Sequence, residues 1–104
     1  MIARFWHGRT KISDAAVYRK YVTDTGIRDL ITTPGNKGAQ IWQQEEGSIT
    51  HIWVISWWKD YDSIKAFAGN DIAVARYYEE DKKYLLELEP RVMNCESYEF
   101  KPSI

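Results

Sequence analysis

Ile49-Thr50-His51-Ile52-Trp53-Val54-Ile55-Ser56-Trp57-Trp58 is the stretch on which the fold turns. With the period of two that a strand imposes, Ile52, Val54, Ser56 and Trp58 share one face, and His51, Trp53, Ile55 and Trp57 share the other. Both faces are mostly apolar, so the segment reads as a strand buried on both sides. Upstream, Glu45-Glu46-Gly47-Ser48 reads as a hairpin turn, and residues from about Gly38 to Gln44 as the paired strand. Ile2 to Arg9 also alternates: Ile2, Arg4 and Trp6 point one way, Ala3, Phe5 and His7 the other.

Between these strands the pattern is helical. Ser13-Asp14 gives a cap and an acidic first turn, followed by Ala15, Tyr18, Tyr21 and Val22. Gly26 interrupts, Ile27, Leu30 and Ile31 add a further turn, and Thr33-Pro34-Gly35-Asn36 stops the helix. After the third strand, Asp60 or Asp62 caps a helix through Ile64, Phe67 and Ala68, and Gly69-Asn70 breaks it. A loose stripe of Ala73, Tyr77, Tyr84, Leu85 and Leu88 predicts a restart at Asp71 that runs to Pro90. Glu79-Glu80-Asp81-Lys82-Lys83 within it reads as a solvated turn, and Arg91 to Phe100 as the last strand.

The predicted order is β-α-β-β-α-β, an α+β, ferredoxin-like arrangement with one four-stranded antiparallel sheet and the helices on one face. It fills residues 1–104 as a single domain. Two helices leave one sheet face uncovered, carrying either Trp53/Ile55/Trp57 or Ile52/Val54/Trp58. Exposing it forfeits about 1.5–3 kcal/mol per large apolar side chain. Sheet-to-sheet homodimerisation is the simplest remedy. The 5 Trp, 7 Tyr and 3 Phe in 104 residues sharpen the point, because so small a domain cannot hide that much aromatic surface.

Composition excludes several classes. Lys and Arg total 14 against 15 Asp and Glu, a net charge of −1, which argues against a nucleic-acid partner. No run approaches the roughly 18 apolar residues of a membrane span, and the first residues lack a secretory pattern, so a cytoplasmic protein without membrane partners is expected. The lone Cys95 has no internal disulfide partner and reads as a buried, inert thiol. His7, His51 and Cys95 lack metal-ligand spacing, so no metal is expected. The glycines of Pro34-Gly35-Asn36-Lys37-Gly38 belong to a turn, since a P-loop would lead into a helix.

Four stretches resemble the antibiotic-biosynthesis-monooxygenase-like group of dimeric α+β barrels: Met1-Ile2-Ala3-Arg4 with Trp6; Thr33 to Gly38; Ser56-Trp57-Trp58 leading into Ile64-Lys65-Ala66-Phe67-Ala68-Gly69; and Leu85 to Val92 around Glu89-Pro90. The resemblance implies a homodimer whose two sheets form a barrel, with a pocket between sheet and helices in each subunit. Some members oxidise phenolic polyketides with O2 and no cofactor, others degrade haem, and others act on quinols. The polyketide-oxidising pattern is an Asn, a Trp and a Tyr. It falls here on Val54, Trp58 and Ile64, so only the Trp is kept. The haem-degrading Asn, Trp and His fall on His7, Phe67 and Tyr77, and none is kept, so haem cleavage is not expected.

If the resemblance holds, Val54 and Trp58 face the helices. With Phe5 and His7 taken as their strand-one partners, the pocket is expected from Phe5, His7, Val54, Ser56, Trp58, Ile64, Phe67 and Tyr77 or Tyr78. Trp6 falls with Trp53 and Trp57 on the partner-facing side. His7 is the one group of this set that titrates near neutrality and is the candidate base, with Trp58 as the second catalytic candidate. Asn94 on the last strand is placed to orient His7. The competing readings are a histidine hydrogen-bonded at a strand end and a tryptophan that is plain core. The function expected is a cofactor-independent, monooxygenase-like protein for a small aromatic, phenolic or quinol-like compound. The alternative is a non-catalytic ligand-binding or stress-related dimer.

Overall fold

A computed structural model describes residues 1–104. Strand β1 (Ile2–Lys11) leads through a single 3-10 turn into helix α1 (Ala15–Val22), a π-helical turn at Thr23–Ile27, and α2 (Arg28–Thr32). Strands β2 (Asn36–Glu46) and β3 (Ile49–Trp58) form the hairpin, and α3 (Tyr61–Ala68), α4 (Asp81–Tyr84) and β4 (Met93–Glu96) complete the chain. The sheet is antiparallel in the order β2-β3-β1-β4, with the helices on one face. This is the ferredoxin-like α+β arrangement that the element order predicts.

Register decides which side chains share a face. Ile2 lies opposite Trp58, Arg4 opposite Ser56, Trp6 opposite Val54 and Gly8 opposite Ile52. Directly opposed residues in an antiparallel pair point the same way. The helix-covered face therefore carries Ile2, Arg4 and Trp6. Phe5 lies opposite Ile55 and His7 opposite Trp53, on the open face. This corrects the expectation that Phe5 and His7 line the pocket and that Trp6 faces away from it. A shift of one residue in the assumed pairing exchanges the whole set between faces.

The core joins the covered face to the helices: Ile2, Ile52, Val54 and Trp58 from the sheet, Tyr18, Val22 and Leu30 from α1 and α2, Ile64 and Phe67 from α3, and Leu85. Helix α3 starts where expected. The Asp60 carboxylate accepts from the Ser63 backbone N–H at 2.9 Å and its hydroxyl at 2.6 Å, an N-cap that holds the Asp60 pKa below the usual carboxylate range. Gly35, at φ 91°, sits so close to Ser63 that a Cβ there would meet its Oγ at 2.3 Å. Only glycine lets the α2–β2 turn reach the first turn of α3.

The long helix expected from Asp71 to Pro90 does not form. Residues 69–80 make an irregular strap instead, because their backbone groups find other partners. The Ile72 carbonyl accepts from the Arg4 guanidinium and from Asn94 Nδ2, and the Val74 carbonyl accepts from Arg4 at 3.1 Å. Ala75 N–H donates to Pro90 O, and Val92 N–H to Ala73 O, both at 2.9 Å. The edge of β1 beyond Phe5 is taken by Leu85 and Leu86, so the last strand shrinks to Met93–Glu96 from the expected Arg91–Phe100. No helix is long and apolar enough to cross a membrane.

Candidate functional site

A cleft open to solvent lies between the covered sheet face and the helices. Arg4 and Trp6 of β1 and Val54 and Ser56 of β3 form its floor. Tyr18, Val22, Thr25, Gly26 and Leu30 form the helical wall. Phe67 of α3, Arg76 and Tyr78 of the strap, and Asp81 at the start of α4 close it.

Each wall has a local cause. Gly8 lets the Trp6 indole lie along β1, since a Cβ there would meet the ring at 2.5 Å and Leu85 at 2.9 Å. Trp6 Nε1 donates to the Tyr77 hydroxyl at 3.3 Å, and that hydroxyl donates to the Glu89 carbonyl. The π turn, one residue wider than an α turn, falls where Gly26 interrupts the helical pattern. It brings Gly26 to the Tyr78 ring, 3.8 Å from where its Cβ would lie. Arg76 packs between two rings, 4.8 Å from the Phe67 centroid and 4.9 Å from that of Tyr78. It also meets Asp29 at 3.4 Å, and the Tyr78 hydroxyl donates to the same carboxylate at 2.6 Å. These contacts pin the strap to α2.

The polar groups of the cleft are few. Asp81 is 5 % exposed; its carboxylate accepts from the Tyr18 hydroxyl at 2.9 Å and from the Tyr78 backbone N–H. Burial raises its pKa, against the smaller opposing effect of those two hydrogen bonds. The Tyr18 phenol is raised first by its own burial and then by Asp81, so it stays protonated and donating. Burial, with the hydrogen bond to Asp29, raises Tyr78 as well. Ser56 Oγ accepts from Trp58 Nε1 at 2.9 Å, which leaves its own proton free to point into the cleft. Arg4 is 3 % exposed, and burial lowers its pKa to about 10, so it remains a cation at neutral pH.

Of the residues expected at the site, Val54, Ser56, Phe67 and Tyr78 line this cleft. Trp58 and Ile64 lie behind the lining, fully buried, and Trp58 reaches the cleft only through its bond to Ser56. Tyr77 supports Trp6 from outside. Asn94 pairs with Arg4 across the β1–β4 ladder and holds the Ile72 carbonyl; it does not orient His7. Phe5 and His7 are on the opposite face. There His7 Nδ1 lies 2.6 Å from Glu89 Oε2, His7 Nε2 lies 2.9 Å from His51 Nδ1, and His51 Nε2 lies 3.1 Å from Glu46 Oε1. Neither histidine reaches the cleft, and no three His, Cys, Asp or Glu side chains gather as metal ligands.

Sequence reasoning missed Arg4, Trp6, Tyr18, Arg76 and Asp81. Arg4 and Trp6 were legible in the alternation of β1 and needed only the correct register. Asp81 sits in a charged run that reads as solvated; no local pattern reveals that Tyr18, and the Tyr21 hydroxyl that accepts from Glu80 N–H at 3.0 Å, draw that run against α1.

The fold and its cleft define the class: a ferredoxin-like α+β protein with a cleft between sheet and helices. Solved structures narrow the fold further. A candidate antibiotic biosynthesis monooxygenase from Nitrosomonas europaea superposes with a TM-score of 0.63 at 14 % identity, covering 93 % of this chain and 98 % of the other. One from Bacillus cereus gives 0.67 at 10 % identity, covering 96 % and 97 %. MhuD, a heme-degrader from Mycobacterium tuberculosis, gives 0.61 at 12 % identity, covering 98 % and 100 %. No protein-family profile and no curated protein matches the sequence. The fold is that of the antibiotic biosynthesis monooxygenase-like proteins, and at these identities the likeness is one of fold.

Proposed function

We propose that the protein is a cofactor-independent monooxygenase for a small phenolic or quinol-like aromatic compound, with Asp81 as its base. The observation that carries this reading is a buried carboxylate of raised pKa at the rim of an aromatic-walled cleft. In an anthrone-like substrate Asp81 removes a proton from the activated methylene. The carbanion passes an electron to O2, and recombination gives a peroxide. Loss of water from the peroxide leaves a ketone. Each methylene consumes one molecule of O2: one oxygen atom stays on carbon as the carbonyl, and the other leaves as water with both methylene hydrogens. All four electrons come from the substrate, so no external reductant enters. Asp81 returns its proton to the departing hydroxide. Tyr18 and the Tyr78 N–H hold the carboxylate in place, and the apolar walls limit water.

The active species is a homodimer joined through the open sheet face, in a cytoplasmic setting that keeps Cys95 reduced. Phe5, Trp42, Trp53 and Trp57 occupy that face, and Trp42 is 46 % exposed. Oxygen uptake with a panel of dihydroxynaphthalenes and anthrones tests the chemistry. Turnover that collapses in Asp81→Asn supports it; no uptake across the panel, or an unaffected variant, overturns it. One observation favours a second reading, a non-catalytic ligand-binding dimer. Apolar Val54 and Ile64 stand where the resemblance implies the polar groups of polyketide-oxidising relatives. Saturable binding without oxygen uptake selects it.

A further inference from the structure

We infer that the cleft selects an aromatic compound bearing a full negative charge, whose anionic oxygen seats on Arg4. This rests on the cleft as the ligand site and names the class of compound it takes.

Arg4 is the one cation of the chain buried to this degree, and it has no carboxylate partner. Every ion pair in the protein involves partly exposed groups, and none includes Arg4. Its hydrogen bonds go to the neutral carbonyls of Ile72 and Val74, using two of the five N–H groups of a guanidinium. Carbonyl oxygens satisfy donors without cancelling the charge, and a buried charge left uncancelled is costly. The neighbouring groups do not resolve it. Arg76 already has Asp29, and Asp81 lies beyond ion-pair reach of any base. The remaining N–H groups of Arg4 belong to a side chain that lines the cleft. A planar fork of donors beside Trp6 and Phe67 suits a flat ring carrying a carboxylate or phenolate. A neutral analogue of the same shape leaves the cation unpaired, which is the stronger basis for discrimination.

The test is isothermal titration of the wild-type protein with 1-hydroxy-2-naphthoate and with its methyl ester. The acid is expected to bind at least tenfold more tightly. Arg4→Lys should keep most of that preference and Arg4→Met should lose it. Arg4 also ties down the strap, so the wild-type comparison decides the matter even where a variant fails to fold. Equal affinities, or a tighter ester, overturn the anion inference while leaving the cleft reading intact. No binding of either compound, or acid binding unchanged by Tyr78→Ala and Trp6→Ala, overturns both.

Discussion

The two faces of this one sheet handle polar groups in opposite ways. On the covered face, Arg4 and Asp81 sit almost out of water, and neither has an opposite charge in reach. On the open face, partly exposed His7 and His51 form a closed chain from Glu89 to Glu46, with Trp53 tilted against His7 at 5.2 Å and stacked on His51 at 5.6 Å between centroids. One face leaves charge uncancelled where a ligand would fit; the other satisfies itself and presents aromatic surface. Uncompensated burial costs stability, and proteins tend to keep it where chemistry needs it. A histidine is the more familiar base, yet here it is the carboxylate of Asp81, and neither histidine, that lines the cleft.

The sharpest way to break this contrast is to exchange the candidates. Asp81→Asn should lower turnover about 10²–10⁴-fold, the usual worth of a positioned base. His7→Ala should leave turnover within a few-fold of wild type. Oxygen-electrode rates for both variants decide it; the reverse ordering would return catalysis to the open face.

The second test concerns the open face as an interface. Trp53→Glu places a charge at the centre of the aromatic surface. It should convert a dimer to a monomer in sedimentation equilibrium, with each large side chain worth about 1.5–3 kcal/mol of burial. A wild-type monomer at micromolar concentration would sink the dimer outright.

How much of this was legible in the sequence depends on the range of the interactions. The β3 alternation and the Asp60 cap are set within a few residues, and the structure follows them. The face occupied by Arg4 and Trp6 depends on how β1 pairs with a strand more than forty residues away, and an alternating pattern is blind to which of two faces is covered. The strap failed for a related reason. Ala73, Tyr77 and Leu88 suit a helix loosely, but the Arg4 and Asn94 side chains capture the carbonyl that a helix at Ile72 would use. The raised Asp81 carboxyl is the extreme case, because its burial is made by tyrosines on another helix.

Gly8 offers a smaller test of the covered face. Gly8→Ala forces the tip of the Trp6 ring aside without touching Arg4 or Asp81. Overpacking of this kind costs about 1–3 kcal/mol. The melting temperature should fall modestly, and ligand affinity should change in proportion to the cleft wall displaced. Unchanged ligand affinity would mean that the Trp6 ring is not a working wall.

The smallest effect is the pH dependence of stability, and its sign is fixed by burial. Asp81 has a raised pKa in the folded protein against 3.8 in a free chain. Between those two values the native state holds a proton that the unfolded state has released. Stability contributed by this group therefore falls as pH rises through that window, and the penalty is complete above the folded pKa. Asp81→Asn removes the ionisation. Urea melts should show the variant gaining on the wild type as pH rises through the window, with a constant difference above it. Parallel stability curves across the window would mean that the carboxyl titrates as an ordinary exposed group. The uncancelled charge that separates the two faces would then rest on Arg4 alone.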